Sequence, residues 1–238
     1  MILIRRLSGL TALAVCLAGC ASTAGGVPEA ATPQLVRPAA AIEPVPRVAS
    51  GAVPANASSA AITVSKPATT HRYAFPVRAS NVSFHKTHSG YPATDIFAAC
   101  GKSVVATTSG VVLEISKVDK YVKGKPDGPR NGGKFVSIKG DDGVRYYGSH
   151  LSKVQSGIKP GVRVKTGQVL GKVGHTGNAS GVCHLHYGIS PPCKKTGDWK
   201  VRRGVVWPAT YLSSWRKGGK KSPAAAVKAW NNKHHCKA

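Results

Sequence analysis

Two histidines one residue apart carry the strongest chemical signal in this sequence: Cys183-His184-Leu185-His186-Tyr187-Gly188-Ile189 reads as a strand. Side chains alternate faces along a strand, so the imidazoles of His184 and His186 point the same way. Two imidazoles on one face can serve one metal ion, one as ligand and the other as a neighbouring acid or base. Upstream, His88-Ser89-Gly90-Tyr91-Pro92-Ala93-Thr94-Asp95 sets a histidine and a carboxylate on either side of a turn. Between these segments, Tyr146-Tyr147-Gly148-Ser149-His150 ends another β-like run in a histidine. The only glutamate between positions 71 and 215 is Glu114, remote from all three segments, so imidazoles must carry any proton transfer.

The elements that must position these groups are short and β-rich. Runs at 103–107, 110–116, 134–139, 144–149, 168–173 and 182–189 are punctuated by Asn131-Gly132-Gly133 and Asp141-Asp142-Gly143. Apolar runs broken by Gly, Asn and Asp predict an all-β domain, a compact antiparallel sheet or sandwich spanning 71–215. No helical stripe of three turns interrupts it. About 145 residues bury roughly two-thirds of their extended surface, which suffices for a core. Residues 121–133 read as a long polar surface loop.

These segments, in this order, resemble the LytM/lysostaphin-type zinc metallopeptidases, which cut peptide bonds of peptidoglycan. Residues 161–178, read as a hairpin before the His-x-His strand, and Ser103-Val104-Val105-Ala106 followed by Gly110-Val111-Val112 also match that family. The resemblance covers about residues 71–212. It implies one Zn²⁺ per chain bound by His88, Asp95 and His186, with His150 and His184 as the catalytic imidazoles. His88 precedes Asp95 by seven positions where the family spacing is four, although His88-Ser89-Gly90 keeps the family's His-x-Gly pattern. His85, ten positions before Asp95, is the rival ligand. Two histidines and one carboxylate leave a fourth zinc position for water, the mark of a catalytic site. The expected activity is zinc-dependent endopeptidase cleavage of peptidoglycan. The competing reading is a non-catalytic wall-binding or hydrolase-activating module on the same fold. A lipoyl- or biotin-type carrier hairpin at 161–174 is disfavoured, because no acceptor lysine stands at an exposed tip.

The N-terminus points outside the cytoplasm. Arg5 and Arg6 precede an apolar run from Leu7 to Gly19, too short to span a bilayer, and Leu17-Ala18-Gly19-Cys20 resembles a bacterial lipobox. Residues 1–19 are thus expected to be a lipoprotein signal peptide and Cys20 the lipidated first residue of the mature chain. Residues 20–70, rich in Ala, Pro, Ser and Thr, read as a disordered tether reaching on the order of 40 Å. Residues 216–238 read as a basic tail, with 224–230 able to form a short helix. The four remaining cysteines suit an oxidising compartment. Strand alternation turns Cys183 away from the metal face, and the expected pairs are Cys183–Cys193 and Cys100–Cys236.

The 238-residue chain carries 34 Lys+Arg against 9 Asp+Glu, a formal charge of +25. Such an excess draws polyanions. Outside the cytoplasm these are anionic wall polymers and lipids rather than nucleic acid. The expected partners are therefore peptidoglycan and anionic polymers or lipids met through a basic surface, with the chain itself monomeric. The expected location is the outer face of the cytoplasmic membrane, or the periplasm or cell-wall space.

Overall fold

Leu185, Tyr187 and Ile189 are almost fully buried, and so are His184 and His186 on the opposite face of the same strand. A strand covered on both faces belongs in the middle of a sheet. The computed structural model describes residues 70–238, apart from Lys194 and Thr196. The expected signal peptide, Cys20 and nearly all of the expected tether lie outside the described residues.

Eleven strands form two antiparallel sheets. They are β1 (Val77–Arg78), β2 (Ser83–Phe84), β3 (Thr94–Phe97), β4 (Ser103–Val105), β5 (Gly110–Ser116), β6 (Phe135–Gly140), β7 (Arg145–Ser149), β8 (Lys153–Val154), β9 (Arg163–Val164), β10 (Val169–Lys172) and β11 (His184–Ser190). The larger sheet has the order β2-β3-β11-β7-β6-β5-β9, and the smaller has β1-β4-β10-β8. Their inner faces share one core, which includes Ile96, Leu185 and Ile138 from the larger sheet and Val104, Val154 and Leu170 from the smaller. The all-β antiparallel class read from the sequence holds.

Register delivers the site. In β11, His186 lies opposite Asp95 of β3 on one side and Ser149 of β7 on the other, and His184 lies opposite Phe97. Ile96 and Leu185, both fully buried, pin this pairing, since a slip by one residue would turn each into the wrong face.

After β11 come three helices: α1 (Trp199–Arg202), α2 (Ala209–Arg216) and α3 (Ala224–His234). The sequence reading ends the domain at Trp215. In the structure Val227 of α3 is buried in the same core as Leu212 and Trp215, and Trp215 stacks on Tyr73 at 5.3 Å. Positions 216–238 are thus folded onto the domain, and the helix expected at 224–230 runs one turn longer.

The disulfide pairing differs from expectation. The bonds are Cys100–Cys183 and Cys193–Cys236, not Cys183–Cys193 and Cys100–Cys236. Cys183 and Cys193 flank opposite ends of seven-residue β11. That strand rises about 23 Å, far beyond the Cα separation of about 4.4–6.8 Å that a disulfide spans. Antiparallel pairing instead carries the start of β11 to the end of β3, where Cys100 follows, with Cα atoms 5.3 Å apart.

Candidate metal centre

Strand alternation puts Asp95 and Phe97 of β3, His184 and His186 of β11, and Tyr147 and Ser149 of β7 on one face. All six line a cleft of about 430 Å³. Its floor is the sheet. Its walls are the 127–132 loop, the 178–182 turn and α1 with Arg203.

His88, Asp95 and His186 converge, with one potential ligand atom from each all within 4.8 Å of one another. The hydrogen bonds of His186 set the chemistry of the group. Its Nε2 lies 3.0 Å from the Arg203 carbonyl oxygen, and a carbonyl can only accept, so Nε2 carries the proton. In the neutral ring Nδ1 is then a lone pair, yet it faces Asp95 Oδ1 at 3.0 Å. Two acceptors at that distance need a proton or a cation between them. His88 Nε2 lies 3.8 Å from Asp95 Oδ2, and its Nδ1 is buried without a hydrogen-bond partner. Two imidazoles and a carboxylate form a donor set suited to zinc, so the residues present fit the ion.

The other two histidines are tethered in the same way. His184 Nδ1 donates to the Val182 carbonyl at 2.8 Å, and His150 Nδ1 donates to the Thr176 carbonyl at 2.7 Å. Each keeps Nε2 as its lone-pair nitrogen, and His184 Nε2 stands 3.8 Å from Asp95 Oδ1. The two rings lie 4.7 Å apart. His150 adopts φ +64°, a left-handed conformation that a non-glycine residue holds only when its surroundings enforce it. The enforcement is visible. His150 N–H donates to the Gly132 carbonyl, Leu151 N–H to the Lys134 carbonyl, and Thr176 Oγ1 to the Leu151 carbonyl.

Burial shapes the titration of the group. Burial first, then the His186 and His184 charges, holds His150 down at about 3. Burial and then His186 lower His88. Burial pushes Asp95 up, but His186 facing it at 3.0 Å, with His184 and His88 close by, outweighs this and holds it at about 2.

The rival ligand His85 lies outside the group of three. It is exposed, packs its ring 5.2 Å from Phe97, and its carbonyl accepts a bond from Thr94 Oγ1. His175 is exposed outside the cleft, and His234 stacks on Trp230 at 4.6 Å. Glu114 does not line the cleft; its Oε2 accepts from Arg202 at 3.0 Å. Arg202 also donates to the Pro129 carbonyl at 3.1 Å and lies over Phe135 at 4.4 Å, so it braces the 127–132 wall from behind. Sequence reasoning missed Tyr91, Arg202 and Arg203. The arginines stood in a run read as simply basic, and only the docking of α1 on β11 distinguishes them.

An antiparallel two-sheet domain thus holds a cleft of histidines and one carboxylate. Residues 87–197 match the profile of peptidase family M23. The matched span contains His88, Asp95, His150, His184 and His186. Over 165 residues the chain is 30% identical to the L-Ala--D-Glu endopeptidase of Bacillus subtilis (strain 168), a match covering 62% of this chain and 44% of that protein's length. Similar solved structures include the catalytic domain of lysostaphin from Staphylococcus simulans, at 25% identity and a TM-score of 0.44, covering 56% of this chain and 94% of that one. Another is a putative glycyl-glycine endopeptidase LytM from Ruminococcus gnavus, at 23% identity and a TM-score of 0.47, covering 64% and 63%.

Proposed function

We propose that this chain is a zinc-dependent endopeptidase that hydrolyses peptide bonds of bacterial peptidoglycan. The observation that carries the reading is the pair of facing acceptors, His186 Nδ1 and Asp95 Oδ1, 3.0 Å apart with the other imidazole nitrogen committed to a carbonyl. His88, Asp95 and His186 would hold the ion. Zinc bound there supplies Lewis acidity to the scissile carbonyl and to a water nucleophile.

The remaining chemistry belongs to side chains. His150 and His184 each keep Nδ1 tied to a backbone carbonyl, so proton traffic runs through Nε2. One Nε2 takes the proton from the attacking water and passes it to the leaving amine. The other ring lies beside the oxyanion that develops on the carbonyl, where the bound ion would supply the balancing positive charge. The sheet floor and the braced loop hold these atoms in place before substrate arrives, so little reorganisation remains for the reaction itself.

The setting follows from sequence features. An export signal at 1–19, lipidation at Cys20 and a tether would place the domain beyond the cytoplasmic membrane, where disulfides persist. Among the described residues no helix is long and apolar enough to cross a membrane. The similarity to an L-Ala--D-Glu endopeptidase supports peptidoglycan as the substrate, and the +25 charge suits an anionic wall.

The test combines metal analysis with muropeptide mass spectrometry. Purified protein should carry about one zinc per chain and release new peptide termini from peptidoglycan, and His186→Ala should lose both properties. Metal-free wild type that still binds the wall, or equal release by the variant, would favour the binding-module reading.

A further inference from the structure

Arg203 is a cleft residue with no counter-ion among the described residues. Its guanidinium carbon lies 3.8 Å over the Tyr91 ring and 4.8 Å from the Trp199 ring. Tyr91 in turn packs against two of the three candidate ligands, His88 at 4.5 Å and His186 at 5.7 Å between ring centroids. A fixed positive charge therefore stands one aromatic ring away from the metal group. Its Nε is buried without a hydrogen-bond partner, and the guanidinium makes no ion pair among the described residues.

The acids of the domain explain why. All seven side-chain carboxylates in the described residues have partners other than the Arg203 guanidinium, including the two that line the same cleft, Asp95 and Asp127. Asp95 faces the histidines, Glu114 holds Arg202, Asp198 holds Arg145, and Asp141 holds Arg163. Asp142 accepts from Tyr73 and Tyr146, Asp119 from the Gly177 N–H, and Asp127 from Asn131. Arg202, the adjacent cleft arginine, is neutralised by Glu114 and donates to the Pro129 carbonyl, although its Nε, like that of Arg203, is buried without a partner; what sets Arg203 apart is the missing carboxylate. A half-buried guanidinium held without a carboxylate in a domain that pairs its other buried arginines is a prepared anion site. Two aromatic rings hold the guanidinium, whose planar fork matches a carboxylate.

We infer that Arg203 is a specificity residue: it binds a free carboxylate on the peptide residue beside the scissile bond, so the substrate class is an acidic stem peptide rather than a neutral oligoglycine bridge. This rests on the peptidase reading above for the word substrate, but the binding step can be measured without turnover. A carboxylate stacked into this fork replaces water at a desolvated cation, and the exchange discriminates against the amide of the same shape.

The test uses two fluorescent peptides, N-acetyl-L-Ala–γ-D-Glu–L-Lys with its α-carboxylate free, and the same peptide with that carboxylate amidated. Affinity is read by polarisation with the full chain, and cleavage is followed in parallel by mass spectrometry. The wild type should bind the acidic peptide about tenfold or more tightly than the amide. R203Q should bring the ratio to within about twofold, and R203K, a cation without the fork, should fall between. Thermal unfolding of each variant guards against misfolding, and R203K carries the test if R203Q does not fold. Equal wild-type affinity for the two peptides, or an acidic preference that survives in R203Q, overturns the inference. A carboxylate preference lost in R203Q, with no new peptide termini released from whole peptidoglycan by the zinc-loaded wild type, upholds this site and sinks the peptidase reading instead.

Discussion

The disulfide between Cys100 and Cys183 makes a quantitative prediction, because it closes a long loop through the heart of the domain. The bonded residues are 83 positions apart. Cross-linking them removes unfolded-state entropy, and the chain-closure relation gives about 4.5 kcal/mol at 25 °C for such a loop. The second bond, Cys193–Cys236, spans 43 positions, and the same relation gives about 4 kcal/mol. In a domain of this size each kcal/mol moves the melting temperature by roughly 2–4 °C. The double variant Cys100→Ser/Cys183→Ser should therefore melt about 9–18 °C below the wild type, as scaled by those relations. Cys193→Ser/Cys236→Ser should fall nearly as far. Calorimetry in EDTA is the assay, since a bound ion would add its own concentration-dependent stabilisation. Peptide mapping without reduction must accompany it. A fall of less than about 4 °C for the first variant would refute the loop-entropy reasoning, and a Cys183–Cys193 cross-link would refute the topology beneath it.

Alkaline stability should decline in a defined window. Burial, reinforced by the charge of Asp142, pushes the Tyr73 phenol up to about 12 from its ordinary value of 10.0. The folded state thus keeps a proton that the unfolded state releases, so stability is full below pH 10 and is lost as pH rises towards 12. Tyr146 and Tyr187 are raised in the same sense by burial. Urea midpoints should fall steadily between pH 9.5 and 11.5, and less steeply in Tyr73→Phe; a rising midpoint would contradict the assignment. Gly177→Ala addresses the cleft wall. Gly177 has φ +73°, and a Cβ there would overlap the Asn131 carbonyl oxygen and the Gly133 nitrogen, both backbone atoms. Left-handed strain and overpacking together predict a loss of about 2–4 kcal/mol in urea unfolding. A loss under about 0.5 kcal/mol, the scale of a neutral surface change, would show that the 131–134 and 176–178 segments are not locked together.

The cluster of candidate ligands is legible in the sequence because a strand has a period of two and an antiparallel partner has one register that keeps both cores buried. His184 and His186 share a face by alternation alone. The strand that brings Asp95 to them is not legible: Thr94–Phe97 is four residues long, follows a proline turn, and becomes a strand only by pairing with β11. The disulfides escaped for a related reason. Reading Cys183 and Cys193 as neighbours treated sequence proximity as spatial proximity, while the strand between them drives them apart and the pairing with β3 supplies a different partner.

The run from Trp199 to Ala238, with ten basic residues and no acid, shows where composition stops being informative. A charge count gives Arg202, Arg203 and Arg216 the same weight. The fold gives them three environments: Arg202 sits under Phe135 with Glu114 at its edge, Arg203 stands in the cleft between two rings, and Arg216 lies over Phe75 and Phe84. Burying a guanidinium costs several kcal/mol unless something compensates, and in an acid-poor chain compensation must be drawn from distant strands. Glu114 of β5 and Asp198 beside α1 are drawn in this way, 88 and 53 positions from the arginines they meet. The same scarcity that makes the chain strongly cationic leaves the cleft arginine without a carboxylate, so one feature of composition bears on both the net charge and the selectivity proposed for the cleft.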